Sequence, residues 1–219
     1  KFDGVSWASI DSKGEKIVYL NDGLIVKLDL KTKQVQSITI SLQADPHLDN
    51  VEFITPESAG GQVDISPTGK RILNCIRGEI FSLPVEEGII RNYSQSSGTR
   101  EKLATWSPDG KTIAFISDRS GDEEIFLVDQ MNKEKPKQVT HTGGFKNAIE
   151  WASDSKKLLY ATNERKLYYV DIPSGKSILI DSSDVDDMYD FNWSPDSRWV
   201  TYIKTMRNKA NQIRLYDLE

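Results

Sequence analysis

The residues that could carry hydrolytic chemistry in this chain are few. There are two histidines, His47 and His141, and no G-x-S-x-G sequence of the kind that presents a nucleophilic serine. Both histidines lie in connecting segments rich in Asp, Pro, Thr or Gly, and no serine stands beside either one. A Ser-His-Asp mechanism needs those three groups in contact. The sequence therefore favours two solvated loop histidines, and we predict no catalytic residue in this chain.

A cluster of five carboxylates between residues 181 and 190 could in principle bind a metal ion. Carboxylate oxygens suit Ca²⁺, and the weak candidates for ligands are Asp184, Asp186 and Asp187. The spacing lacks the glycine and the terminal bidentate glutamate of an EF-hand, and no Cys or His cluster indicates zinc. The favoured interpretation is a solvated connecting loop, so we predict no metal and no cofactor.

One loop is locally basic in an otherwise acidic chain. It covers residues 204–211 and carries Lys204, Arg207 and Lys209, which could steer an acidic partner or the carboxylate of a peptide. A solvated hairpin tip would have the same composition. These three residues are our candidates for contact with a peptide or partner.

The single cysteine and the tryptophans favour packing over chemistry. Cys75 lies in an apolar run typical of a strand, which indicates a buried, inert thiol. Three tryptophans, Trp106, Trp151 and Trp193, recur in phase and are expected to pack between repeated units. Trp7 and Trp199 fall outside that phase. They are the aromatics to examine for an exposed surface, although core packing is the preferred expectation.

Charge and hydropathy exclude two classes of partner. The chain has 28 basic and 33 acidic residues in 219, a net charge of −5, which offers no basic footprint for nucleic acid. No apolar run approaches the roughly 20 residues that a membrane-spanning helix needs, so we predict no membrane span. The chain begins at Lys1 without methionine, from which we expect a processed protein or an excised piece of a longer one.

The elements that must position these residues come from a repeated stretch, best seen at 106–115. In it, Pro108, Asp109 and Gly110 suit the successive positions of a turn, and alternating apolar residues then indicate a strand. Copies place their turn residue at 14, 69, 110, 155 and 197, which are 55, 41, 45 and 42 residues apart. Periods of about 40 to 45 residues with four short strands each are typical of β-propeller blades. We therefore predict an all-β propeller with five four-stranded antiparallel blades, and rate a β-sandwich well below it.

The long first spacing divides the chain. We predict one blade in residues 1–45 and four blades in residues 46–219, the last of them truncated after its third strand, as an incomplete ring or parts of two rings. Pro84 is expected at the end of a strand, because proline removes a donor from the ladder. Ser155 and Ser197 replace the turn glycine. Serine tolerates positive φ less well, so those two turns are expected to differ in type.

Three segments resemble the β-propeller repeats of the TolB and tricorn families, more closely those of tricorn-like peptidases. They run over residues 5–30, 64–84 and 91–125, and the second, beginning Asp64-Ile65-Ser66-Pro67, is the most specific. In the tricorn family a six-bladed and a seven-bladed propeller precede a PDZ domain and a serine peptidase core. The resemblance implies that residues 1–45 are the closing blade of the six-bladed ring and that the rest opens the seven-bladed ring.

The same resemblance implies a non-catalytic role, in which the propeller guides or filters peptides to or from a separate active site. The lining would come from strands entering each turn, at 102–105, 146–150 and 188–192. Asn147, Glu150 and Asp190 would suit a wet channel, or equally bridging water. Implied partners are peptides or other domains of the parent peptidase, in which the protein could form a homo-oligomer. The compartment stays open: cytoplasmic if like archaeal tricorn, periplasmic or secreted as the alternative.

Two other functions fit the same repeats. One is a TolB-like scaffold propeller that docks a protein on one rim, and the other is the lid propeller of a prolyl-oligopeptidase-type hydrolase. The sequence downstream of Glu219 would separate them: a PDZ-plus-peptidase region, nothing, or a G-x-S-x-G hydrolase domain respectively.

Overall fold

The computed structural model describes residues 5–21, 24–41, 62–94, 96 and 98–219. Within these residues there are nineteen strands in five antiparallel sheets and no helix. The predicted all-β architecture of propeller blades is confirmed. The chain divides into two compact units, Lys1–Thr55 and Pro56–Glu219. Each unit is described by itself.

The first unit contains one sheet, called blade 1. Its strands follow the chain order: β1 (Val5–Ile10), β2 (Lys16–Asn21), β3 (Leu24–Asp29) and β4 (Val35–Ile38). The β1–β2 turn is held by the Asp11 carboxylate, which accepts the backbone N–H groups of Glu15 and Lys16 at 2.7 and 3.0 Å. Strands β2 and β3 pair antiparallel, with Asn21 opposite Leu24, and residues 22–23 of the predicted hairpin turn lie outside the described residues. His47 and the predicted boundary at residue 45 lie outside the described residues.

The second unit contains four sheets, called blades 2 to 5, again with strands in chain order. Blade 2 has β5 (Val63–Ile65), β6 (Arg71–Ile76), β7 (Glu79–Pro84) and β8 (Arg91–Asn92). Blade 3 has β9 (Glu101–Trp106), β10 (Thr112–Ser117), β11 (Glu124–Asp129) and β12 (Lys137–Gln138). Blade 4 has β13 (Lys146–Trp151), β14 (Lys157–Thr162), β15 (Lys166–Asp171) and β16 (Lys176–Ser182). Blade 5 has three strands, β17 (Tyr189–Trp193), β18 (Trp199–Thr205) and β19 (Asn211–Asp217). Pro84 ends β7, as its missing N–H predicts.

The core of the second unit consists of three apolar clusters, one at each junction between successive blades. Leu73, Ile80 and Tyr93 of blade 2 meet Phe115 and Phe126 of blade 3. Corresponding clusters join blade 3 to blade 4 and blade 4 to blade 5. The second strands are apolar on both faces because each inner blade packs against two neighbours. Burying one such side chain contributes about 1.5–3 kcal/mol, so these clusters hold the blades in register.

The turns between first and second strands are alike, including the two that have serine in place of glycine. The φ angles are 70° at Gly69, 71° at Gly110, 58° at Ser155 and 60° at Ser197, and each of these N–H groups bonds to the carbonyl three residues before it. The expectation that the serine turns differ in type is therefore wrong.

The reason lies in the neighbouring blade. The Ser155 hydroxyl accepts the backbone N–H of Asp109 at 3.0 Å, and the Ser197 hydroxyl accepts that of Asp154 at 2.9 Å. Positive φ costs an L-residue about 1–2 kcal/mol, and a hydrogen bond contributes about 0.5–1.5 kcal/mol, so the bond offsets much of the strain.

Antiparallel order separates the connections of each blade into two ends. The turns between first and second strands lie at one end. The hairpins between second and third strands, and the connections from one blade to the next, lie at the other end. Within the second unit, this second end comprises residues 77–78, 93–94, 98–100, 118–123, 139–145, 163–165, 183–188 and 206–210.

Candidate functional site at the inner edge strands

The first strand of each blade in the second unit is an edge of its sheet, and we call β5, β9, β13 and β17 the inner edge strands. They contain the segments predicted to line a channel except Met188, which precedes β17 and is buried in the cluster between blades 4 and 5. Each has a polar residue immediately before its last position, although most of the surrounding positions are apolar. We call these four residues the polar row: Asp64, Thr105, Glu150 and Asn192.

Hydrogen bonds from the polar row connect neighbouring blades. The Asp64 carboxylate accepts the Thr105 hydroxyl at 2.9 Å and the Trp106 backbone N–H at 2.7 Å. The Thr105 carbonyl accepts the indole N–H of Trp151 at 3.4 Å. The inner edge strands of blades 2, 3 and 4 are thus linked side by side.

The link between blades 4 and 5 repeats this arrangement. The indole N–H of Trp193 donates to the Glu150 carbonyl at 3.3 Å. Trp106, Trp151 and Trp193 each pack in a different cluster between blades, which confirms the packing role predicted from their phase. Their indoles therefore contribute to the scaffold that holds the polar row.

Within the polar row, Glu150 has a carboxyl group whose pKa is raised. Its side chain is half-buried, and this burial raises the pKa of the carboxyl to about 7, against a smaller opposing effect of the Trp193 backbone N–H. Such a carboxyl can accept or donate a proton near neutral pH. It can also pair with a cationic group that displaces water.

Asn147 and Asp190 are both exposed on inner edge strands. Asp190 has a φ of 51° at a bulge between Tyr189 and Asn192, and Leu103 has a φ of 53° at the corresponding bulge of β9. A bulge turns a side chain away from regular alternation. The exposed side chains of Asn147 and Asp190 are accessible to a ligand.

Lys146, at the start of a segment predicted to line a channel, is instead fully buried. Its ammonium group lies 3.0 Å from Glu124 Oε2 and also donates to the Glu123 carbonyl. Lys102 pairs with Glu123 Oε1 at 2.8 Å. These four residues form a network between blades 3 and 4 that sequence reasoning missed, because adjacent Glu123 and Glu124 resemble any exposed acidic pair.

Glu124 is held in its ionised form by this network. Burial opposes ionisation, but hydrogen bonds from the Thr140 hydroxyl, the Gly143 N–H and the Lys146 ammonium together keep the pKa of the carboxyl below its usual range. The charge of Lys146 is thus fully used inside the protein. Of segment 146–150, only Asn147 and residues beyond it can face a ligand.

The basic loop and the acidic loop, which the sequence presented as separate features, contact each other. Lys204 pairs with Asp181 at 2.8 Å, and Arg207 pairs with Asp184 at 3.2 Å. The second pair is exposed, with 85% and 81% of the two side chains accessible. Lys209 is also exposed, at the tip of the β18–β19 hairpin. Arg207 and Lys209 therefore present the accessible positive charge of this loop.

The pairing of Asp184 bears on the calcium hypothesis. Asp184 is directed to Arg207, and Asp186 and Asp187 are exposed without a ligand arrangement. Among the residues that the structure describes, no three His, Cys, Asp or Glu side chains are placed to share a metal ion.

The remaining reactive groups lie apart from the inner edge strands or are constrained. The exposed His141 has its Nδ1 3.0 Å from the Gln138 amide nitrogen. Cys75 is half-buried rather than fully buried, and burial raises the pKa of its thiol, which favours the unreactive form.

The two tryptophans outside the repeat phase differ from each other. Trp7 in blade 1 is 89% exposed, contrary to the expectation of core packing. Trp199 is half-buried, with the Arg198 guanidinium 5.1 Å from its ring centre. No helix in the described part of the chain is long and apolar enough to cross a membrane.

Solved structures share the fold of this chain. The crystal structure of TolB from Acinetobacter baumannii matches 98% of this chain and 52% of its own, with a TM-score of 0.58 and 22% identity. The crystal structure of the tricorn protease matches 94% of this chain and 20% of its own, with a TM-score of 0.60 and 20% identity. These similarities show the fold.

Curated relatives come from two organisms. The putative tricorn-like protease C-terminal subunit of Sulfurisphaera tokodaii is 25% identical over 204 residues, covering 93% of this chain and 23% of the relative. The tricorn protease homolog of Saccharolobus solfataricus is 22% identical over 192 residues, covering 87% and 17%. The chain thus spans less than a quarter of each relative. Residues 61–219 match the family described as the tricorn protease second beta propeller domain, and the chain belongs to that family.

Proposed function

We propose that this chain is a non-catalytic propeller portion of a tricorn-like serine peptidase, and that its inner edge strands guide or filter peptides to or from a separate active site. The observation that carries the proposal is the polar row together with the exposed Asn147 and Asp190 beside it. Such side chains and the free backbone groups of edge strands can exchange hydrogen bonds with an extended peptide. Membership of the propeller family supports a tricorn-like parent.

The half-buried Glu150 adds a preference to this proposal. Together with Asp64 and Asp190 it makes the inner edge strands acidic, so extended peptides with basic residues should interact more strongly than acidic ones. Arg207 and Lys209, away from these strands, are candidates for contact with another domain of the parent.

Cross-linking from Asn147 tests the guiding role. We would replace Asn147 with the photoreactive residue benzoylphenylalanine and illuminate the chain with a short unstructured peptide or with a folded protein of similar charge. The expected result is covalent capture of the peptide and little capture of the folded protein, because only an extended chain can follow the inner edge strands.

The matched control carries the same photoreactive residue at Lys176, which is exposed on the outer strand β16. Peptide capture there should be weak. Equal capture from both positions would contradict the guiding role, since it would indicate contact without preference for the inner edge strands.

The two-ring organisation is a separate proposal. We infer that residues 1–45 close a six-bladed propeller and that residues 46–219 open a seven-bladed one; the family match that begins at residue 61 supports the second part. A structure of the longer protein tests this. All five blades around one common axis would contradict it.

The non-catalytic role is tested with the purified chain. We expect no turnover of fluorogenic peptides. Any residual turnover should come from a contaminant, and should therefore not follow the chain during purification. Activity that persists through repurification and follows the chain on a sizing column would refute the proposal.

A further inference from the structure

A cleft opens between blades 2 and 3, and none of its lining residues belongs to an inner edge strand. Its volume is about 410 Å³, within the range of about 300–1,000 Å³ that ligand sites occupy. Tyr93, Ser94 and Ser96 line one side, and residues 132–136 line the other. Among these lining residues Arg119 is a half-buried cationic side chain, whereas Lys133 and Lys135 are exposed.

Arg119 is fixed in place from several directions. Its Nη2 donates to Glu101 Oε1 at 3.0 Å and its Nε donates to the Ser117 hydroxyl at 3.1 Å. The guanidinium carbon lies 5.6 and 5.0 Å from the ring centres of Phe115 and Phe126. With Glu101 fully buried and Arg119 only 21% exposed, the guanidinium has little freedom before any ligand arrives.

Part of this guanidinium is still unused. A guanidinium has five N–H donors. Within the described residues, the Nη1 group of Arg119 has no hydrogen-bond partner, and the carboxylate oxygen that faces Nη2 is shared with the hydroxyls of Ser96, Thr99 and Ser117. Donors remain for a group that enters the cleft.

The other polar groups of the cleft favour an anion. The Ser94 hydroxyl oxygen accepts the Ile80 backbone N–H at 2.7 Å, so its proton is free to donate. Lys133 and Lys135 are exposed at the mouth, with Glu134 between them. Even with Glu101 and Glu134 counted, positive charges exceed negative ones.

We propose that this cleft binds an oxyanion, a carboxylate or phosphate group, with Arg119 as its anchoring residue and the Ser94 hydroxyl as a further donor. The planar guanidinium fork matches two oxygens of either group. Because Glu101 and the two phenylalanine rings hold the fork in advance, the ligand orders few side chains on binding. None of the lining residues of the cleft belongs to the inner edge strands, and Glu101, which holds Arg119, is the first residue of β9. The proposal does not depend on the peptide-guiding role.

Titration of the 219-residue chain with three probes tests the site. They are N-acetylglycine, its neutral methylamide, and inorganic phosphate, followed through the NMR signal of the Arg119 Nε–H group. We expect a saturable shift with one or both anions and none with the methylamide. Saturation by N-acetylglycine alone would identify a carboxylate site, and saturation by phosphate alone a phosphate site. No saturation by either anion, or an equal response to the methylamide, would overturn the proposal.

Variants locate the binding, and it is followed in them through the backbone N–H signal of Ser94, because Arg119→Lys lacks the Nε–H group. Arg119→Lys keeps the charge but loses the fork, and should weaken binding at least about tenfold. The matched control is Arg207→Lys in blade 5, which should leave binding unchanged. If Arg119→Lys fails to fold, the double variant Lys133→Ala/Lys135→Ala leaves the Arg119–Glu101 pair intact and should weaken binding about two- to fivefold. Unchanged affinity in the double variant, or a loss with Arg207→Lys, would overturn the assignment.

Discussion

The junction between blades 3 and 4 and the junction between blades 4 and 5 each contain a lysine–carboxylate ion pair, but the two pairs differ in their exposure to solvent. At the first, Lys146 and Glu124 are 0% and 4% exposed. At the second, Lys204 and Asp181 are 19% and 24% exposed, and Arg207 and Asp184 are almost free in solvent. A buried pair fixes one arrangement because an unpaired buried charge is costly, whereas an exposed pair can exchange partners. The pair at the first junction therefore fixes how blades 3 and 4 meet, whereas Arg207 and Asp184 at the second junction stay accessible to solvent.

The largest expected effect comes from breaking the buried pair. Lys146→Met leaves the Glu124 carboxylate buried without its cation, and should lower the free energy of unfolding by about 3–5 kcal/mol. Chemical denaturation at neutral pH measures it. The double variant Lys146→Met/Glu124→Gln should recover much of the loss, because position 124 no longer carries an unpaired buried charge. A loss below about 1 kcal/mol in the single variant would show that the buried pair contributes no more to stability than an exposed ion pair does.

The same two junctions can also be compared at the opposite end of the blades, where the Ser155 and Ser197 hydroxyls accept backbone N–H groups of the preceding blade. Ser155→Ala at the first and Ser197→Ala at the second each remove one hydrogen bond between blades and keep the positive φ, at an expected loss of about 1 kcal/mol. Ser197→Ala should cost more, because the Asp154 N–H is less exposed than the Asp109 N–H. Thermal unfolding measures both. The glycine variants are the controls and should lose less, because glycine relieves the strain; equal losses for alanine and glycine would contradict this account.

A pH-dependent effect is expected at the second junction. Burial raises the pKa of Glu150 to about 7, above the value of 4.5 for a free glutamate, so the folded state binds the proton more tightly than the unfolded state. The contribution of Glu150 to stability is therefore greatest at low pH and is lost as pH rises from about 5 to about 8. Glu150→Gln should be more stable than the parent at about pH 8 and should flatten the pH dependence of unfolding. An unchanged pH profile would show that Glu150 is solvated.

The smallest effect belongs to the exposed pair. Arg207→Ala should change the free energy of unfolding by no more than about 0.2–1 kcal/mol, and moderate salt should remove even that difference. Equilibrium denaturation with and without salt measures it, and Lys209→Ala is the control for charge alone. A salt-independent loss comparable to that of Lys146→Met would remove the distinction between the two junctions.

Much of the fold was predictable because it depends on residues that are close together in the chain. A turn followed by alternating apolar residues places each strand without knowledge of its neighbours, and the phase of Trp106, Trp151 and Trp193 predicts their packing. The candidate site was predictable only in part. Asn147, Glu150 and Asp190 were named from their place in the repeat, but nothing local shows that Glu150 is half-buried.

The missed features share one physical cause. From the sequence alone, Lys146 is expected to be a surface lysine. In the structure it is buried, because blade 3 places the Glu124 carboxylate beside it. Ser155 reads as a poor replacement for glycine, and it becomes suitable because the Asp109 N–H of the preceding blade meets its hydroxyl. In both cases the partner lies on another sheet, so the contact exists only after the sheets have packed.

The sequence by itself determined the repeat, the strand order within each blade and the turn at each copy, since these depend on contacts between residues close in the chain. Only the tertiary structure decided which charges are buried at a junction, how the acidic and basic loops pair, and where Arg119 is held by Glu101 and two aromatic rings. Those outcomes depend on solvent exclusion between sheets, and the strength of a charge interaction changes several-fold with the water that surrounds it.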